Sequence, residues 1–155
     1  MKNPLTYCAA LLASFAERAL ACLAEFGEQL TVPGFAAAAD LTAAQYSAVR
    51  ASAANRVNLA SEVGGVSGAA KMAIGILQNK PNTDEAATVA VLGLTKWVAG
   101  GTATVNALVT YNSSGRCLDA VSGDIVMGRA LEGTTVDGAV ITVLLLPPVR
   151  WPSVA

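Results

Sequence analysis

From Gln45 to Leu146 the chain reads as short β-type runs separated by turn signals. Gln45–Arg50 and Arg56–Ala60 are the first, followed by Lys71–Gln78 and the polar loop Asn79-Lys80-Pro81-Asn82-Thr83-Asp84. Ala87–Leu92 and Lys96–Val98 follow, with a turn expected at Gly93 between them. Leu108–Tyr111 and Arg116–Leu118 flank Asn112-Ser113-Ser114-Gly115, a hairpin loop whose glycine supplies a positive φ. Ile125–Ala130 and Ala139–Leu146 are the clearest strands, and the last is expected to end where Pro147-Pro148 removes two ladder donors. Short strands at this spacing predict a mainly β body, a small sandwich or barrel. In the last run Val140, Thr142, Leu144 and Leu146 share one face, and Ile141, Val143 and Leu145 the other. Both faces are apolar, so cover on both sides is expected, with a second subunit as one source of it.

The first 27 residues follow a different period. Leu5, Cys8, Leu12, Phe15, Ala19, Cys22, Leu23 and Phe26 recur at steps of three and four, which predicts an amphipathic helix. Asn3 and Pro4 suit its start and Gly27 its end. A secretory signal is the competing reading, since Lys2 precedes an apolar stretch and Ala19-Leu20-Ala21-Cys22 resembles a lipoprotein cleavage site. Glu17-Arg18, placed where such a signal is most apolar, favour the packing or docking helix. Pro33-Gly34, the alanines 36–39 and Asp40 suggest a linker or irregular arm over Thr31–Ala44, with a brief helix at Ala36–Ala44 as the alternative. The expected organisation is an N-terminal helix and arm, 1–44, and a β-rich domain, 45–155.

Composition sharpens this picture. Hydrophobic residues make up 54% of the 155, including 31 alanines, and charged residues only 14%. An ordinary soluble domain is about 25% charged, so part of this surface must be apolar, and such surface usually meets a partner. The absence of histidine removes the commonest general base and zinc ligand. A net charge of −1 argues against nucleic acid as a partner. No apolar run reaches the roughly 18 residues of a membrane span.

The three cysteines, at 8, 22 and 117, form no metal-binding spacing. On a helix Cys8 and Cys22 stand about 21 Å apart, beyond the roughly 7 Å a disulfide tolerates, so buried free thiols are expected.

The remaining candidates for chemistry are weak. Gly64-Gly65-Val66-Ser67-Gly68-Ala69-Ala70-Lys71-Met72 lacks the glycine before lysine and the hydroxyl after it that a phosphate loop requires. Ser67 and Lys71 are one residue too far apart for a Ser-x-x-Lys pair. Asp84, Glu85, Asp119, Asp124, Glu132 and Asp137 fall in turns with no aromatic platform beside them. Asn112-Ser113-Ser114 matches a glycosylation acceptor, but a turn accounts for it. No catalytic residue, cofactor site or metal site is expected. Trp97 and Trp151 are core fillers by default and interface anchors as the second choice.

Taken in order, Gly75-Ile76-Leu77-Gln78-Asn79-Lys80-Pro81, an Ala/Val strand, Gly93–Gly100, Tyr111–Leu118, Gly123–Glu132 and Gly138–Leu146 resemble the small capsid decoration (cement) proteins of tailed bacteriophages. The resemblance spans Gln45–Leu146. It implies a β-rich, non-enzymatic virion protein, made in the host cytoplasm, that sits as a homotrimer on the outer surface of the capsid. There it would bridge major capsid proteins. The expected contacts are Leu12, Phe15, Leu23 and Phe26 on the helical stripe, the loop at Pro81, and the tryptophans Trp97 and Trp151. The N-terminal helix departs from that family's pattern, in which a short extended arm is usual. A head-fibre or receptor- or glycan-binding module displayed on the virion is the alternative.

Overall fold

A computed structural model describes residues 29–61 and 72–151. Within them the mainly β architecture expected from the sequence is present as nine strands: β1 (Gln29–Ala37), β2 (Ala48–Ala53), β3 (Arg56–Leu59), β4 (Ala73–Leu77), β5 (Ala86–Val98), β6 (Leu108–Tyr111), β7 (Cys117–Asp119), β8 (Ile125–Ala130) and β9 (Val140–Arg150). The expected N-terminal helix, with Leu12, Phe15, Leu23 and Phe26, lies outside the described residues, as do Cys8, Cys22 and positions 62–71 of the glycine-rich stretch.

Five strands close a small barrel in the order β1-β3-β2-β4-β5, because β5 pairs back onto β1. The β1–β3 pair is parallel and the other pairs are antiparallel. Beyond the barrel, β5 continues into a second row, β5-β9-β8-β6-β7. A parallel bridge from Ala99 to Cys117 and the Gly100 N–H to Cys117 O bond, 2.8 Å, bring β7 back to the end of β5. Thus β5 belongs to both halves.

Two apolar cores lie on either side of this shared wall. Leu41, Val49, Val57, Leu77, Ala87 and Val89 fill the barrel. Ile76, Trp97, Tyr111, Met127, Ile141 and Val143 are among those that fill the larger core. Adjacent residues split between them: Ala48 and Val49, Ile76 and Leu77, Val89 and Ala90 each send one side chain to each core. Period-2 alternation across a wall buried on both faces produces such nearly unbroken apolar runs.

Three expectations required correction. Gly93 is not a turn between two strands, since β5 runs through it for 13 residues. Its φ of +89°, open to glycine at no steric cost, lets the strand change partners without ending. Gly93 faces Gln29 of β1 on one side and Leu145 of β9 on the other. Residues 31–44 do not form a linker arm. Up to Ala37 they are the barrel strand β1, with register shifts between Leu30 and Thr31 and between Val32 and Phe35 that absorb Pro33-Gly34. Finally, β9 does not stop at Pro147-Pro148. Val126 pairs with Val149 and Gly128 with Leu145, so the prolines occupy a bulge where β9 carries extra residues, a position that tolerates missing donors.

Candidate functional site

Chemistry-bearing side chains in the described residues are mostly committed to holding turns. Asp84 pairs with Arg56, and the Asp137 carboxylate accepts from Arg116 Nη1 at 2.8 Å. Asp119 accepts from both the N–H and the hydroxyl of Thr104, Asp124 from the Val121 N–H, and Glu85 from the Asn82 N–H. Each takes a backbone donor in a loop, as short acidic side chains do. Among the described residues no group of three or more metal-ligating side chains converges. Asn112 is a turn residue: its Oδ1 accepts from Ser114 N and Arg116 N, while Gly115 closes the loop at φ +69°. Cys117 is a free, buried thiol. Burial, reinforced by the nearby negative charge of Asp119, pushes its pKa up to about 12, so it is a poor nucleophile.

The anchors expected from sequence are placed differently. Trp97 is fully enclosed in the larger core, and its Nε1–H donates to Gly115 O at 2.9 Å. Pro81 is also fully buried, and its carbonyl accepts from the Leu41 N–H. Both are interior positions of this chain: Trp97 takes its default role as core filler, and Pro81 is a buried loop residue rather than a surface one. The polar letters around Pro81 suggested an exposed loop, but the backbone bond from Leu41 draws that residue inward. Trp151 is half-buried at the end of β9, exchanging backbone bonds with Asp124 and Gly123.

The surface that remains is built on the second half of β5 and on β9. Leu94 faces Leu144, Lys96 faces Thr142 and Val98 faces Val140 across the two strands. Thr95, Trp97, Ile141, Val143 and Leu145 are turned to the inside. Leu94 and Val140 remain 41% and 48% exposed. Beside the pivot, Leu30 pairs directly with Leu92, and both are exposed. The sequence led us to expect cover on both faces of the last strand. Within one chain only the odd-numbered face is covered, and the other face is open.

Continuous with this stripe at Leu94, Lys96 and Thr142 lies an open groove of about 570 Å³, whose other walls are Gln29, Thr31, Tyr46 and Gln78. Its centre is the buried Thr95 hydroxyl, which accepts the amide N–H of Gln29 and of Gln78, each at 3.0 Å. A second donor of the Gln78 amide goes to Ile76 O, and the Gln78 main chain bonds to Thr88 and Gln45. Lys96 Nζ donates to Thr142 Oγ1 at 2.8 Å, and the Thr142 N–H donates to Glu132 Oε2 at 2.7 Å. Those contacts with Thr142, and secondarily the Lys96 charge, hold the Glu132 carboxyl below its ordinary range. Tyr46 sits at φ +60°, which costs a side-chain-bearing residue about 1–2 kcal/mol. Its N–H donates to Leu77 O and its carbonyl accepts from Val98 N–H, and these bonds fix it in place. Sequence reading missed the groove because its walls come from five separated stretches of chain, none with a motif of its own.

No family model matches the chain, and no curated protein matches it. Among solved structures it is similar to the N base of the head fiber protein gp8.5 of bacteriophage phi29. That likeness covers 76% of this chain and 94% of that one, with a TM-score of 0.57 and 14% identity. At that identity the two share a fold.

Proposed function

We propose that this protein is a structural component of a bacteriophage head, bound as a homotrimer to the outer surface of the capsid, where it strengthens contacts between major capsid proteins. The observation that carries the reading is the fold shared with a head-fiber base over nearly the whole of that chain. The surface supports it. The open ladder along β5 and β9 and the exposed Leu30–Leu92 pair offer apolar area on rigid strands, the kind of surface that gains most from being covered. A stable contact needs about 800 Å² from each partner. Cementing requires no chemistry: a ligand that binds only the assembled shell stabilises it by mass action. The proposal accordingly assigns no catalytic residue and no cofactor.

A second reading has the same support. The neighbour is the base of a fiber, so this chain can equally serve as a foot that anchors a displayed module to the head. The two readings differ in what binding does to the shell. Purified protein added to bare, expanded heads should bind in either case. A cement raises the temperature at which heads open and release DNA, whereas a fiber foot occupies its sites and leaves that temperature unchanged. Absence of binding overturns both.

The N-terminal segment is the other candidate for attachment. Removing residues 1–44 would also remove β1, so the informative truncation ends before Gln29.

A further inference from the structure

We infer that the groove beside Gly93 is a binding site for a neutral oligosaccharide. Beside the apolar Leu94 and the Lys96 ammonium, its described walls carry amides, hydroxyls and a phenol, side chains that both donate and accept, and no carboxylate among them. Sugars present the same alternation of donors and acceptors around each ring. The size fits: about 570 Å³ lies within the range of small-molecule sites and is open along one side, as a chain of several sugar units requires.

The groups are also held in place before any ligand arrives. Both N–H donors of the Gln78 amide are taken, by Thr95 Oγ1 and Ile76 O, so its carbonyl oxygen is left as the acceptor directed elsewhere. Thr95, at the centre, is buried and takes two amide donors. Fixing such side chains in advance removes an ordering cost that would otherwise weaken binding. Tyr46 contributes the one aromatic side chain among the described walls, on a left-handed backbone pinned by two main-chain bonds. Strained residues persist where the surroundings over-determine them, and they gather at binding sites.

Charge selects among ligands. Lys96 is the one cation of the described walls, and it is bonded to Thr142, which is itself bonded to the Glu132 carboxylate. The cation and carboxylate offset each other, so the groove exerts little net attraction on an anionic polymer. Among the described groove walls there is no carboxylate pair of the kind glycoside cleavage uses, so the inference is of binding.

The groove shares Leu94, Lys96 and Thr142 with the open ladder, so the inference is tested away from heads, on the full-length protein in solution. The probe is a printed array of neutral and anionic bacterial-surface oligosaccharides, followed by calorimetric titration with any neutral oligosaccharide that it retains. The expected result is retention of at least one neutral oligosaccharide, with affinity falling about tenfold or more in Gln78→Ala and Tyr46→Ala. Exposed Thr31→Ala and Lys96→Ala carry the same test if either variant fails to fold, as judged by circular dichroism. Head binding by Gln78→Ala, Tyr46→Ala and Thr31→Ala should be unchanged, which separates this site from the capsid contact; Lys96 also lies on the open β5–β9 ladder, so its variant is read for oligosaccharide binding alone. Retention of anionic oligosaccharides only, no retention of any, or affinities that stay within about twofold across the folded variants overturns the inference.

Discussion

Trp97→Phe tests whether the two halves are held together as described. The indole lies entirely inside the larger core and reaches the hairpin loop through its bond to Gly115 O. Phenylalanine loses that bond, worth about 1 kcal/mol. Gly115 O is not orphaned, because the Ala48 N–H still donates to it at 2.7 Å. The smaller ring leaves roughly 40 Å³ unfilled, which costs about 1 kcal/mol at the measured cavity coefficient. The lost apolar transfer adds about 0.5–1 kcal/mol. The sum, about 2–3 kcal/mol, corresponds to a fall in melting temperature of about 4–12 °C for a chain of this size. Urea unfolding followed by circular dichroism measures it, with Trp151→Phe as the control. Trp151 is half-buried at a strand end, so its loss should cost under about 1 kcal/mol. A Trp97→Phe cost no larger than the control would refute the assignment of Trp97 as the element that ties β5 to the β6–β7 loop.

Gly93→Ala should destabilise by about 1–2 kcal/mol in urea unfolding, because its φ is +89°; a neutral result would mean that β5 changes partners without a left-handed residue. Cys117, with its pKa raised to about 12 by burial and by Asp119, should resist iodoacetamide at pH 8 in the folded protein and react once unfolded. Mass mapping of its peptide reads this out, and rapid labelling of the folded protein would contradict its burial. Glu132 and Asp40 are held below their ordinary values of 4.5 and 3.8 by hydrogen bonds from Thr142 and Thr42. A depressed carboxylate stabilises the fold fully above its unfolded value, and this contribution disappears as pH falls through the folded one. Stability should therefore decline on acidification below about pH 4.5, and Glu132→Gln should flatten that decline; an unchanged acid limb would refute the role of Glu132.

Local rules carried far in this chain where local structure decides. Ile125–Ala130 is the strand the alternation predicted, and Asn112–Gly115 is the expected loop, because one asparagine side chain and one glycine suffice to build it. The readings that failed depended on partners distant in sequence. Gly93 has the letter of a turn, but strands on both sides hold it within β5. Pro147-Pro148 has the letters of a stop, but the register with β8 gives the prolines a bulge. The alanines 36–39 carry little periodicity, and Ala36 and Ala37 become strand because β3 and β5 present open edges to them. The site was the least legible part. Of the two roles expected for tryptophan, core filler by default and interface anchor second, Trp97 takes the first as the largest fully buried side chain among the described residues, and the letters around it do not choose between them. The groove's polar residues are scattered from position 29 to position 142, and only closure of the barrel gathers them.

The most direct test of the central proposal is a measurement on heads. On the proposed reading the protein is encoded by a phage; bare, expanded heads of that phage are incubated with the purified full-length chain, and occupancy is counted by cryo-electron microscopy. The account predicts density in groups of three on the outer surface at repeated lattice positions, together with a higher opening temperature if the role is cement. Heads that stay bare at saturating protein, or density confined to the interior, would contradict it.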